Sequence, residues 1–238
     1  MRIPIPCMPC GDETDLYFED VQDAGIYHLV CAKGHKTVVR DQSLKFEILF
    51  EIALHATVDG YYREAVASFA ASLERYYEFY LRVIWAQKGL QMAAFETAWK
   101  RLSNQSERQL GAYSVTYLME NGSAAPQLTD KQSTFRNGVI HKGQIPSRAE
   151  AIDFGQSVLD IVSPTLKYLQ QTANEAVQTV FLANFLSSSE LENTQSLVTM
   201  SLGNTLSCTR APGEPQVTVN DAVVRLAKVR ERRVRSAK

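Results

Sequence analysis

The 238-residue sequence predicts a mainly α-helical bundle preceded by a small β module. Apolar residues recur at helical spacing from residue 43 to about residue 186. Capping residues break that stretch at intervals matching helix lengths. Ahead of it, residues 1–42 combine tight turns with a short alternating run, the pattern of strands. The chain thus divides into a module at 1–42, a bundle at 43–186, and a helical extension with a basic tail at 187–238.

Hydrophobic residues make up 45% and charged residues 21%, the balance of a globular chain that buries one sizeable core. A net charge of −1 argues against nonspecific nucleic-acid binding by the whole surface, so any such contact must be a local patch. No apolar run is long enough to span a bilayer, and the opening Met1-Arg2-Ile3-Pro4-Ile5-Pro6 lacks a signal-peptide core. A cytoplasmic protein with no membrane partner is expected. In that compartment the four cysteines read as metal ligands or free thiols rather than disulfides.

The module begins with Cys7-Met8-Pro9-Cys10, a C-x2-C turn, and Cys31-Ala32-Lys33-Gly34-His35 supplies a second pair. Between them, residues 25–30 alternate as a strand entering that pair. Gly34 gives the knuckle the backbone freedom it needs. Two chelating pairs on turns joined by strands resemble a zinc ribbon. The resemblance implies a structural Zn2+ held by Cys7, Cys10, Cys31 and His35, with His28 competing for the fourth place. A site with no open position folds a small segment and takes no part in catalysis. A metal-free pair of turns is the plainer reading.

Ser43 is placed to cap the first helix, whose stripe is Leu44, Ile48, Leu49, Ile52 and Ala53 and which stops at Asp59-Gly60. His55 sits there as a packing residue. A second helix over 61–87 has Val66, Phe69, Ala70, Leu73, Tyr77, Tyr80 and Ile84 as its core face. Its small residues Ala65, Ala67, Ser68, Ala71 and Ser72 admit a close neighbour. Two shorter helices cover 91–104 and 107–120. Thr129 and Asp130 cap the next, which turns Phe135, Val139 and Ile140 inward and ends at Lys142-Gly143. Ser147 and Glu150 form a capping box for another. Helix is expected to continue past Pro164 to about Leu186, break at the following serines, and resume through Leu191, Leu197, Val198 and Leu202. Cys208 reads as a structural thiol. A linker at 211–215, a β-like run at 216–219 and a possible Asp221 cap follow. The tail then carries Arg225, Lys228, Arg230, Arg232, Arg233 and Arg235, either a solvated end or a contact for RNA or an acidic partner.

The chemistry concentrates in Phe135-Arg136-Asn137-Gly138-Val139-Ile140-His141-Lys142-Gly143. On a helix Asn137 and His141 share a face, and the long Arg136 side chain reaches the same groove. Arginine can hold a phosphate and histidine can move a proton near neutral pH, while the asparagine orients ribose or imidazole. Arg and His near a helix end also serve merely to satisfy its last carbonyls. Glu74 and Glu78 are placed to orient Arg136 from the second helix, or else to pair with Arg75 and Arg82. Gly138 costs a helix interior about 0.5–1 kcal/mol. It is expected to admit a close neighbour, a second copy of the same helix being one candidate.

This arrangement resembles the R-x4-6-H signature of the HEPN superfamily, with Asn directly after Arg, and the order of helices over roughly 45–185 is similar too. HEPN domains are small helical bundles that usually pair two-fold, and many are metal-independent RNases. The resemblance implies an endoribonuclease in which the RNA 2′-hydroxyl attacks, leaving a 2′,3′-cyclic phosphate. It assigns His141 as acid/base, Arg136 as phosphorane stabiliser and Asn137 as orienter, in a composite homodimer site with no catalytic metal. A phage-defence or toxin–antitoxin setting, with an antitoxin or defence partner, follows by analogy alone. The alternative is a noncatalytic HEPN module that binds nucleic acid, nucleotide or a partner as an antitoxin-like scaffold. A plain helical scaffold with a zinc staple is the third reading.

Overall fold

Isoleucine and proline alternate at the start of the chain, and the alternation sorts them between two roles. The computed structural model describes residues 1–10, 16–186, 197–202, 205–209 and 217–236. Strand β1 (Arg2–Pro6) pairs antiparallel with β2 (Leu16–Asp20). Ile3 and Ile5 are buried while Pro4 and Pro6 fall on the intervening positions. Proline cannot donate to a ladder, so its nitrogen is tolerated only where it faces away from β2, which leaves β1 an edge strand. Strands β3 (Ile26–Val30) and β4 (Lys36–Asp41) form an antiparallel hairpin. Ile3, Ile5, Tyr27, Leu29 and Val39 make the module's core.

The hairpin does not stand alone. Strand β5 (Leu197–Met200) pairs parallel with β4, Val198 opposite Val39, and sets Val198 and Met200 against that core. The helix expected to resume through Leu197, Val198 and Leu202 is therefore a strand; Leu191 lies outside the described residues. So short an apolar run does not distinguish the two periods, and the open edge of β4 decides it.

The helices follow the expected order: α1 (Lys45–Val58), α2 (Tyr62–Gln87), α3 (Met92–Leu102), α4 (Ser106–Asn121), α5 (Asp130–Lys142), α6 (Arg148–Thr172), α7 (Asn174–Leu186) and α8 (Val219–Ser236). Helix α2 is the hub, touching α1 and α3 through α7. All seven residues of its expected core face are buried, and Tyr76, Phe79 and Val83 join them. Ser72 donates to the Phe46 carbonyl at 2.7 Å, and Phe50 meets Phe69 edge-on with ring centroids 4.9 Å apart. No helix among the described residues is long and apolar enough to cross a membrane.

Helix α6 packs tightly on α2 at Gly155. A Cβ there would lie 2.6 Å from the ring of Phe69, which is itself fully buried and held by Phe50. Gly155→Ala is expected to cost about 1–3 kcal/mol through overpacking, despite alanine's better helix propensity. Urea denaturation checks this, and a midpoint at or above wild type would show that the ring relaxes freely.

Ser43 does not cap α1. The Glu47 carboxylate accepts from the Leu44 amide at 2.7 Å, while the Ser43 hydroxyl accepts from the Leu202 amide at 2.7 Å and lies 3.1 Å from the Ser201 hydroxyl. A long-range partner outcompetes the local cap. Buried acids extend this seam: Glu51 accepts from the Thr205 amide at 2.9 Å and Glu47 from the Cys208 amide at 2.5 Å. These carboxylates pin the returning chain to α1.

Burial pushes the Glu47 carboxyl up to about 7, outweighing its hydrogen bonds from Cys208 and Leu44. A carboxyl raised on folding makes the folded state bind the proton more tightly, so stability is lost as pH rises from about 4.5 through about 7. The loss should be roughly 3 kcal/mol. Glu47→Gln cannot ionise and should flatten that slope in pH-dependent unfolding, although it leaves one amide facing a donor. An unchanged slope would assign the effect elsewhere.

At the far end, the expected β-like run at 216–219 does not form. Val219 opens α8, and the Thr218 hydroxyl, not Asp221, accepts from the helix by taking the Asp221 amide at 3.1 Å; Gln216 lies outside the described residues. Val219, Ala222 and Val223 are buried as α8 packs on α1 and α6. Arg230 bonds to Asp59 and to Nδ1 of His55, so His55 serves packing as expected. Arg225 and Lys228 stay exposed, and the side chains of Arg232, Arg233 and Arg235 lie outside the description.

Candidate functional site

Helix α5 is defined at both ends by its own sequence. Thr129 accepts from the Gln132 amide at 3.3 Å while the Gln132 side chain returns to the Thr129 amide at 2.8 Å, a capping box. Gly143 adopts φ 72° and closes the helix, and the Gln144 amide donates to the Gly138 carbonyl at 3.1 Å. Ser147 and Glu150 then box the start of α6 as expected. Val139 is buried, Phe135 and Ile140 are half-buried, and Phe135 packs 5.8 Å from the Phe154 ring.

Those contacts fix which side of α5 faces outward. Arg136 is half-buried, and Asn137 and His141 are exposed. Among the described residues none of these three side chains makes a hydrogen bond or ion pair, so the fold does not consume them. Glu74 of α2 feels Arg136. Burial raises its carboxyl, and Arg136, then Arg75, pull it back. Glu78 turns the other way, pairing with Arg75 and Arg82 at 2.7 Å each. Of the two acids expected to orient Arg136, only Glu74 acts on it.

Glu107, in the first turn of α4, was not legible in the sequence. Its carboxyl is held below its ordinary range, first by its own amide at the helix start and further by Ser106, Arg136 and His141. An acid is common at a helix start, and only the fold brings this one to α5. The set can hold an anion on Arg136 and pass a proton at His141, with Glu74 and Glu107 as acidic neighbours.

Gly138 does have a close neighbour, but it belongs to the same chain: a Cβ there would run into the Gln144 side-chain amide. This position therefore gives no support to a second copy of the helix.

The second constellation lies in the β module. Cys7 and Cys10 follow β1 across a turn in which the Cys10 amide donates to the Cys7 carbonyl at 3.1 Å. Cys31 and His35 sit in the turn between β3 and β4, with Gly34 at φ 83° and the His35 amide donating to the Cys31 sulfur at 3.3 Å. The four ligand atoms lie within 4.8 Å of one another. A tetrahedral ion bound at thiolate and imidazole distances requires edges of about 3.8 Å between sulfurs and about 3.6 Å from sulfur to nitrogen. The Cys10 and Cys31 sulfurs are 3.7 Å apart, and His35 Nδ1 lies 3.3 Å from each and 3.9 Å from that of Cys7. The residues fit a four-coordinate metal ion. His28, exposed on β3 opposite Val38, is not in the cluster.

Three thiols so close share negative charge unevenly. Burial alone would raise Cys31, yet the amides of His35 and Lys33 outweigh it and bring the thiol down to about 6. Cys10 is pushed up to about 12, first by its hydrogen bond with Cys7 and then by burial. Cys208 is buried far from this cluster beside Glu47, a structural position as expected.

Comparisons of the chain with protein-family models, curated proteins and solved structures find no match.

Proposed function

We propose that the protein is a HEPN-type endoribonuclease acting through Arg136, Asn137 and His141 without a catalytic metal. The observation that carries this reading is the state of those three side chains. They stand together on the outward half of α5, unused by the fold, with Arg136 opposed by the half-buried Glu74. RNA supplies its own nucleophile, so the protein must take the 2′-hydroxyl proton, protonate the 5′-oxygen leaving group, and stabilise the charge that develops on phosphorus. His141 moves the protons, Arg136 neutralises the phosphorane, and Asn137 orients the ribose or the imidazole. Glu74 offsets the charge of the guanidinium without bonding to it. Two copies of the chain form one groove, since in-line cleavage needs an acid and a base on opposite sides of phosphorus and each chain offers one imidazole there.

The Cys7, Cys10, Cys31 and His35 set holds a structural Zn2+. Its chemistry is folding, and all four positions of the tetrahedron belong to the protein.

The test is labelled RNA incubated with purified protein in EDTA. Cleavage leaving 2′,3′-cyclic phosphate ends supports the enzyme. Retention of intact RNA would replace it with the noncatalytic HEPN binding module.

A further inference from the structure

We propose that Gln144 is a substrate-positioning residue of this site and that Gly138 exists to seat it. This deepens the RNase reading and rests on it. A glycine inside a helix needs a reason, and the described fold offers one at Gly138: the three nearest atoms a Cβ would meet all belong to the Gln144 side chain. Gly143, at φ 72°, reverses the chain directly after α5, and the Gln144 amide returns to the Gly138 carbonyl at 3.1 Å. The backbone of Gln144 is thus tied to the helix end. Its carboxamide lies over the Cα of Gly138, in the space a β-carbon would fill.

That seat is on the active face. Gly138 and His141 are three residues apart on one helix and therefore neighbours. Among the described residues the Gln144 side chain makes no hydrogen bond, and the residue is exposed. From a backbone tied to the helix end it brings a donor and an acceptor to the groove, the pair needed to hold a phosphate oxygen or a ribose hydroxyl beside His141. Alanine at 138 is sterically cheap, because only the far end of a flexible side chain must move. It would unseat the carboxamide without harming the helix.

The experiment compares wild type, Gly138→Ala, Gln144→Ala and the double variant for kcat, KM, RNA affinity and melting temperature. Either single change should lower kcat about 10- to 100-fold with little change in KM, and Gly138→Ala should melt no lower than wild type. The double variant should be no slower than the worse single, because both changes remove one device. Wild-type kcat in Gln144→Ala would overturn the proposal even if Gly138→Ala is slow. Multiplying losses in the double variant would overturn it too. If wild type binds RNA but does not cleave it, the RNase reading fails separately. Weaker RNA binding by Gln144→Ala then supports Gln144 as a contact, and unchanged binding overturns it. A wild type that does neither overturns both.

Discussion

His141→Ala is expected to lower RNA cleavage by about 10²- to 10⁴-fold, the usual contribution of a positioned acid or base, with the melting temperature unchanged. The fold should not notice the change, because His141 is exposed and bonded to nothing in the described chain. The variant should also poison wild-type partners. In freely exchanged equal mixtures, activity should fall to about a quarter if mixed dimers are dead, against about half if each subunit works alone. Activity linear in the wild-type fraction, after verified exchange, would sink the composite site.

Loss of metal should have the largest effect on stability. The purified protein is expected to carry about one zinc ion per chain, and Cys7→Ser should lose it. Zinc affinity in such small modules is folding free energy, roughly 10–16 kcal/mol in isolated zinc fingers, so the β module should melt when a strong chelator removes the ion. The damage should spread to the bundle, because β4 is paired with β5 and the chain after β5 is pinned to α1 by Glu51 and Glu47. Elemental analysis and melting curves with and without chelator check this. Metal-free protein with an unchanged melting profile would remove the claim.

Much of the bundle was legible because its signals are local. The boxes at Thr129 and Ser147 and the glycine at 143 fix the limits of α5 and the start of α6 from residues only a few positions apart. The same holds for the Cys7, Cys10, Cys31 and His35 set, since two tight turns specify most of its geometry. Signals failed where a distant partner decided the outcome. Ser43 looks like a cap yet spends its hydroxyl on Leu202, and β5 looks helical until β4 is beside it. Glu47 and Glu51 lie on a helix that any spacing rule would allow to face water, and both are buried by the returning chain. Glu107 is the counterpart at the site, ordinary in sequence and relevant only through its nearness to α5.

The late arrival of β5 also bears on how the protein is made. Ser43 and Leu202, which bond across the seam, are 159 residues apart. On the ribosome, all four members of the cysteine–histidine cluster emerge long before the strand that completes their sheet, and domains generally form as units from the N-terminal side. Metal capture by the nascent chain would then hold β3 and β4 in register with one edge open until synthesis has passed residue 200. Throughout that interval the edge is a template for any extended segment nearby, including the same edge on a neighbouring nascent chain. Chains cut short before β5 should therefore aggregate where the full-length chain, with β5 in place on β4, does not.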